Sequence, residues 1–294
     1  MSGDALVAVI LAGVVTGGLF SLVGLSVVTT FRSSHILNFA SGQFLVLGTY
    51  LFYWLAVQRH VEIVLALIVA LVLIALVGVV THFVLMRPVI GQPVFVPVII
   101  TLGLSVLLTS VVDILWGSDD KSLPLLVANH TYHFGSASSY LTTYGILTIV
   151  MAVVLCLGFL AFERFTRFGL QMRAASENAL LANLSGIRVN TIYATGWAIG
   201  AMAATLGGLS YAYTNILTPQ ASVLGFSVLA AVLLAGFENV KHLLIGAMLV
   251  GVIESFAIYW FGGDAGDAAA FALLLVFVLI RPSGLGKTAP SFQV

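Results

Sequence analysis

What this chain of 294 residues lacks most is charge: Asp, Glu, Lys and Arg make up 7% of it, against 61% hydrophobic residues. A soluble globular domain carries roughly a quarter charged residues, so this sequence cannot cover itself with a hydrated surface. The formal net charge of zero says little about partners; no nucleic-acid partner is expected, and the few charges matter by position. Cysteine is nearly absent too. The single Cys156 excludes an internal disulfide and any multi-cysteine zinc or iron–sulfur site, and in its apolar run it reads as lipid- or core-facing filler. A phosphate-binding loop is also missing. Gly284 to Thr288 reads GLGKT, but the full motif needs a glycine at position 281, where Arg281 stands, and a strand where an apolar run precedes it. No Ser-His-Asp, paired-carboxylate or nucleophile arrangement marks an enzyme, and the chain is expected to bind no cofactor of its own.

Long uncharged runs are what the sequence has in excess. Ala5 to Phe31 carries no charge, and a bilayer core of about 30 Å needs about 20 helical residues at 1.5 Å each. The run is too long for a signal-peptide core, and Asp4 rather than a basic cluster precedes it. Further runs follow at Ile36–Val57, Ile63–Met86, Val94–Trp116, Leu141–Phe162, Thr191–Tyr213, Val223–Phe237, Leu243–Phe261 and Ala268–Ile280. None alternates in polarity as a lipid-facing strand must, and in hydrocarbon a backbone that is not in a closed barrel must bond within its own helix. The expected fold is all-α: a single polytopic transmembrane bundle over residues 1–294 with eight or nine spans. The short Val223–Phe237 and Ala268–Ile280 runs leave room for a broken or re-entrant segment.

Basic residues set the expected orientation. They fall at Arg32, Arg87, Arg164, Arg167, Arg173, Arg188, Lys241, Arg281 and Lys287, whereas the Gly117–Ser139 linker holds Asp119, Asp120 and one lysine, Lys121. Alternation then puts the N-terminus and that linker outside, with the C-terminus and the insert 163–190 inside. Arg59 is the exception, outside, with Glu62 as its expected partner. The insert is 28 residues long and holds four of the eleven basic residues. Ser176 is expected to cap a helix over Glu177–Leu184, and Gly186 suits the left-handed stop after it. With Ala174, Ala175, Ala179, Ala182, Leu180, Leu181 and Leu184, such a helix is marginal alone in water. It is either a connector packed on its own bundle or a docking element, and its length, cap and stop favour docking.

Several polar positions inside apolar runs stand out. Glu254 is either a pathway or gate residue facing the bundle interior or a hydrated carboxylate near the outer end of its span. Asp113, close to Trp116, reads as interfacial. Arg32, Ser33, Ser34, His35 and Asn38 form a polar break, read as an unwound segment lining a conduit or as a short cytosolic turn. Asn38, Ser41, Gly42 and Gln43 lie further in and are the better path candidates. His130 and His133 have metal-like spacing without a third ligand beside them. Gly200, Gly207 and Gly208 with Ala203 and Ala204 give small faces for tight helix packing.

The series RAASENALLANLSGIRVN, followed by ATGWAIGAMAATLGGLSYAY, resembles the membrane permeases of bacterial ABC importers for branched-chain amino acids. GLSVVTTFRSSHILNFASGQFLVLGTY resembles that family's N-terminal block, LLIGAMLVGVIESF its late Gly-rich span, and LIRPSGLGK its terminal basic-Pro-x-Gly-Leu tail. The blocks keep the family's order from about residue 13 to residue 286. Two departures stand out: Gln43 replaces a usual acidic residue, and GFENVKH lacks the usual glycine pair. The resemblance implies a multi-pass protein of the bacterial cytoplasmic (inner) membrane, paired with a second permease, identical or paralogous. It also implies ATPase subunits inside, which hydrolyse the ATP, and a periplasmic or extracellular solute-binding protein outside. The coupling element would run from Arg173 to Asn190, with Ala179, Leu180, Ala182, Gly186 and Ile187 at the ATPase contact. The implied cargo is a branched-chain or other small amino acid, with urea or short amides as alternatives. An ion-driven secondary transporter is the rival reading; it needs a mid-bilayer carboxylate, and only Glu254 is available.

Overall fold

The uncharged runs become helices in the computed structural model, which describes residues 3–93, 95–125, 127–133, 140–237, 239–263 and 265–280. Val94, Glu238, part of the linker between α4 and α5, and the tail with Arg281, Lys287 and GLGKT lie outside the described residues. The helices are α1 (Gly3–Ser34), α2 (Ser41–Tyr53), α3 (Ile63–Thr81), α4 (Phe95–Trp116), α5 (Thr143–Phe165) and α6 (Arg167–Glu177). They continue with α7 (Ala179–Leu184), α8 (Val189–Thr214), α9 (Leu224–Ala235), α10 (Val240–Phe261) and α11 (Ala265–Ile280). π turns at Trp54–Gln58 and His82–Met86 prolong α2 and α3, and a 3-10 turn at Pro219–Val223 leads into α9. A small hairpin, β1 (Thr131–His133) and β2 (Tyr140–Thr142), precedes α5.

Among the described residues six helices are long and apolar enough to cross a bilayer: α1, α3 prolonged to Val89, α4, α5, α8 and α10. Three expected spans come out shorter. Ile36–Val57 is unwound up to Ala40, because His35 adopts φ 55° and Asn38 Oδ1 accepts from Ala40 N at 3.0 Å, so α2 starts only at Ser41. α9 stops after 12 residues at Gly236, whose φ of 85° ends it. α11 has 16 residues.

Contacts fix the relative directions. Gly196, Gly200 and Gly207 of α8 face Ser33, Ser26 and Val23 of α1, so the two run antiparallel. Gly13 and Gly17 of α1 face Val252 and Met248 of α10 in the same sense. Gly145 faces Val15, and Arg32 meets Glu163, so α5 runs parallel to α1. α2 follows α8, from Phe44 beside Trp197 to Thr49 beside Gly208. α4 follows α2, from Thr101 at the Leu37 carbonyl to Trp116 beside Tyr50. α9 runs with α1, from Val232 near Gly24 to Phe237 against Phe31. Successive apolar helices therefore alternate in direction. One end of the bundle gathers the insert, the 35–40 break, the end of α9 and the start of α10; the other gathers the described residues between 117 and 142, bridged by Lys121 to Leu217.

α8 is the inner element: its most apolar 18-residue stretch is 78% buried, against 22% for α3, which presents its flank outward. α1, α2 and α3 all approach α8 to backbone contact, which glycine permits. A methyl on Gly48 or Gly208 would strike Thr205 or Thr49, joining α2 to α8. The small faces read at Gly200, Gly207, Gly208, Ala203 and Ala204 are thus packing surfaces, and Cys156 is a buried core residue.

Between α1 and α5 the main polar tie is Arg32 Nε to Glu163 Oε1 at 2.8 Å, with 21% and 5% of the side chains exposed. Breaking a buried pair leaves an uncompensated charge. Arg32→Met and Glu163→Leu should therefore each cost about 2–3 kcal/mol while the double variant costs less than their sum; a coupling within error of zero would make the pair incidental. Packing gives a second expectation. Gly251→Ala, whose methyl would lie 2.5 Å from the Gly13 carbonyl oxygen, should lower stability by about 1–3 kcal/mol. Gly158→Ala, with nothing within 4 Å, should be neutral or slightly stabilising. Thermal unfolding in detergent, followed by circular dichroism, compares all five variants.

Candidate functional site

Two broken helices meet inside the bundle. The 36–40 segment is largely buried rather than a solvated turn, with Ile36, Asn38, Ala40 and Ser41 all inaccessible. Asn38 holds it by accepting from Ala40 N, and Ser41 Oγ donates to the Asn38 carbonyl at 2.9 Å. The start of α2 then abuts the 3-10 turn and the start of α9. A methyl on Gly42 would strike the Ser222 carbonyl oxygen, and one on Gly225 would lie 2.7 Å from Gly42 N. Two helix N-termini, each with partial positive charge, therefore converge. Beside them Gln43 is 7% exposed, and its Oε1 makes no hydrogen bond among the described residues. It lines a crevice with Leu108, Thr109 and Val112 of α4 and with Pro219 and Ser222, and the crevice has no room for a water molecule. A neutral carboxamide that both donates and accepts, beside two helix N-termini, suits a small solute bearing a carboxylate or amide, once the crevice opens.

At the opposite end lies an open cavity of about 570 Å³ between α1, α5, α8 and α10. Its walls are apolar or small, and its polar groups are neutral: Thr16, Thr142, Thr148, Thr214, Asn215 and Ser255. Among the described residues no charged side chain lines it. The sequence does not reveal this cavity because its hydroxyls come from four helices and from β2 and form no local pattern. Glu254 is buried but does not line it; its Cγ would lie 3.1 Å from a methyl on Gly266, so it faces α11 while neighbouring Ser255 faces the cavity. The five expected path residues are therefore split. Asn38, Ser41, Gly42 and Gln43 share the junction, and Glu254 stands apart between α10 and α11.

The insert is built differently from the expectation. Ser176 does not cap; it lies inside α6, which starts earlier because Thr166 Oγ1 accepts from Gly169 N at 2.9 Å. Asn178 breaks the helix and caps α7, its Oδ1 accepting from Leu181 N at 3.0 Å. The stop is as read: Gly186 has φ 84°. Gly186 N donates to the Asn183 carbonyl and Ile187 N to the Ala182 carbonyl, each at 3.0 Å, which forms a Schellman ending. Ala182 is buried, Ile187 packs on the core and Ala179 is half-buried, so these three face the protein's own bundle. Leu180, Leu181 and Leu184 point outward, 69%, 59% and 77% exposed. Gly186 is exposed, and Arg173 lines a cavity at the α1–α5 end beside Arg32.

Other readings find plain places. Arg59 lies over the Trp54 ring at 5.0 Å, and Glu62 instead caps α3, its Oε2 accepting from Leu65 N. His130 and His133 are exposed at the hairpin, and no cluster of three metal-ligating side chains forms among the described residues. The linker between α4 and α5 is pinned by Tyr144 stacked on Tyr213 at 4.7 Å, their hydroxyls donating to the Val127 and Pro124 carbonyls.

Residues 9–280 match the family described as the permease component of the branched-chain amino acid transport system. The chain is 28% identical to the high-affinity branched-chain amino acid transport system permease protein BraD of Pseudomonas aeruginosa, over 93% of each chain. It is 25% identical to the corresponding LivH protein of Escherichia coli, covering 93% of this chain and 92% of that one. The solved PsaBC complex from Streptococcus pneumoniae with Fab aligns over 95% of this chain and 91% of its own at TM-score 0.48 and 16% identity, too loosely to bear on the fold. A match across the helical bundle and nearly the whole chain gives the family: this protein belongs to the permease components of branched-chain amino acid transport systems.

Proposed function

We propose that this chain is the translocation subunit of an ATP-driven importer for a branched-chain amino acid, paired with a second permease copy or paralogue and working with separate ATPase subunits and an external solute-binding protein. The observation that carries the reading is the family match over residues 9–280. Its curated relatives are named for branched-chain amino acid transport. The uncharged outer cavity and the Gln43 junction support a neutral or zwitterionic cargo, since a charged solute would need countercharges there.

Alternating helix directions support nine crossings, with α2, α9 and α11 shorter than the other spans. Among the described residues Arg32, Arg87, Arg164, Arg167, Arg173, Arg188 and Lys241 stand at the insert's end, and Arg59 and Lys121 at the other. That bias supports a cytoplasmic insert, an external N-terminus and an internal C-terminus in a bacterial inner membrane. The outward leucines of α7 support a docking role, because three exposed apolar side chains on a six-residue helix need a covering surface. ATP would be held and hydrolysed by the partner.

Uptake of radiolabelled leucine into proteoliposomes, with the partner subunits and internal or external ATP, tests the reading. Uptake driven by a proton gradient without ATP, and abolished by Glu254→Gln, would select an ion-driven transporter instead. Leu180→Glu with Leu184→Glu should cut ATP-driven uptake by about tenfold or more and leave the melting temperature unchanged, as both side chains are exposed. Gln43→Leu should lower uptake by about tenfold with ATPase docking intact by co-purification; unchanged uptake would remove the junction from the path.

A further inference from the structure

We propose that the cavity between α1, α5, α6 and α10 binds the phosphate headgroup of an anionic phospholipid, whose acyl chains lie along the outer face of α5. The cavity measures about 560 Å³ and is open at one side. Its level in the membrane follows from the elements that build it. Arg32 stands in the last turn of α1, Glu163 and Arg164 in the last turn of α5, and Lys241 in the first turn of α10. All are helix ends, where a span leaves hydrocarbon for the headgroup layer. The inference needs the chain to be embedded in a bilayer and is independent of the cargo.

Charge complementarity identifies the occupant. Arg32 is held by Glu163 at 2.8 Å and forms the cavity's inner wall. Arg164, Arg173 and Lys241 also line it, and none has a carboxylate within ion-pair distance among the described residues. Arg173 is the informative one: its Nε is buried and makes no hydrogen bond among the described residues. Arg173 is half-buried and its charge is felt by Glu163, which also lines the cavity; that carboxylate already holds Arg32 and takes no hydrogen bond from the Arg173 Nε. A buried donor without an acceptor is costly, and an oxyanion in the cavity removes that cost through charge-assisted hydrogen bonds. Asn239 adds a neutral polar group at the rim.

The remaining walls distinguish a lipid from a free anion. Leu157, Leu160, Ala161 and Phe165 form the α5 side of the cavity. Leu157 and Phe165 are strongly exposed, and Val150 and Val154 continue the same apolar strip towards the middle of α5. A soluble phosphate has no use for such a strip, whereas two acyl chains do. Basic pockets between transmembrane helices at the headgroup level are a recognised chemistry for anionic lipid binding.

The test uses the full-length chain in nanodiscs of equal phosphatidylglycerol and phosphatidylcholine, with the retained lipids counted by native mass spectrometry. The wild-type chain should retain phosphatidylglycerol in preference. Arg164→Gln and Lys241→Gln, both at exposed side chains and leaving the Arg32–Glu163 pair in place, should each reduce that preference by about fivefold. Arg59→Gln, at the other end of the bundle and stacked on Trp54, should leave it unchanged, and size-exclusion elution checks that every variant is folded. Equal retention of the two lipids by the wild type would overturn the proposal, as would a preference that survives both substitutions. Displacement of the lipid by inorganic phosphate at about the affinity of a surface cation cluster (millimolar, roughly 4 kcal/mol) would overturn it in favour of a free-anion site; indifference to phosphate supports it.

Discussion

In a bilayer no hydrophobic force presses one helix against another, because lipid tails are as apolar as leucine. What holds this bundle is close approach of backbones, available where a glycine on one helix leaves room for the backbone or a small side chain of the next. α1 provides this on two fronts. Gly13 and Gly17 receive α10 at Val252, Met248 and Gly251, while Ser26, Thr30 and Ser33 receive Gly196 and Gly200 of α8. α8 in turn offers Gly208 and Thr205 to Gly48 and Thr49 of α2. Shifting any of these helices by one residue would put a methyl or larger group where a carbonyl now sits, so the register of four helices is set together.

That register makes the irregular backbone possible. Residues 36–40 and the 3-10 turn at Pro219–Val223 expose amides and carbonyls that would be intolerable against lipid. They survive because α4 supplies Thr101 to the Leu37 carbonyl, Asn38 caps its own turn, and Gly42 and Gly225 let the two breaks nest against each other. The junction is a consequence of the glycine-led packing, and the polar side chains gathered there are those that unwinding brought into the interior.

The sequence made the helical class, the small faces of α8, the Gly186 stop and the family legible, because composition, spacing and one φ-demanding glycine are local or cumulative signals. Start positions were harder. Ile36–Val57 looks like a continuous span by hydropathy, yet the helix begins at Ser41, since nothing in an apolar count reveals that His35 takes a left-handed conformation. Ser176 and Asn178 are both competent caps, and the choice fell to Asn178 because Thr166 had already started the preceding helix upstream. The cavity between α1, α5, α8 and α10 was illegible in principle: its hydroxyls come from those four helices and from β2, and meet only when these are packed. Arg59 shows the same limit in miniature, finding the Trp54 ring one turn back instead of the carboxylate three residues ahead.

The insert is tied to the bundle on both of its sides. α6 leaves α5 through a corner so tight that a methyl on Gly169 would lie 2.5 Å from the Glu163 Cα and the Phe162 carbonyl oxygen. Glu163 is also the residue that ties α5 to Arg32 of α1. On its other side α7 passes into α8 through the Schellman turn and the half-buried Ile187, with two backbone bonds closing the link. Between α6 and α7 stands only Asn178, in extended conformation. The two anchored halves, α6 with α5 and α1, and α7 with the start of α8, therefore meet at one residue, Asn178, whose side chain is already committed to capping α7.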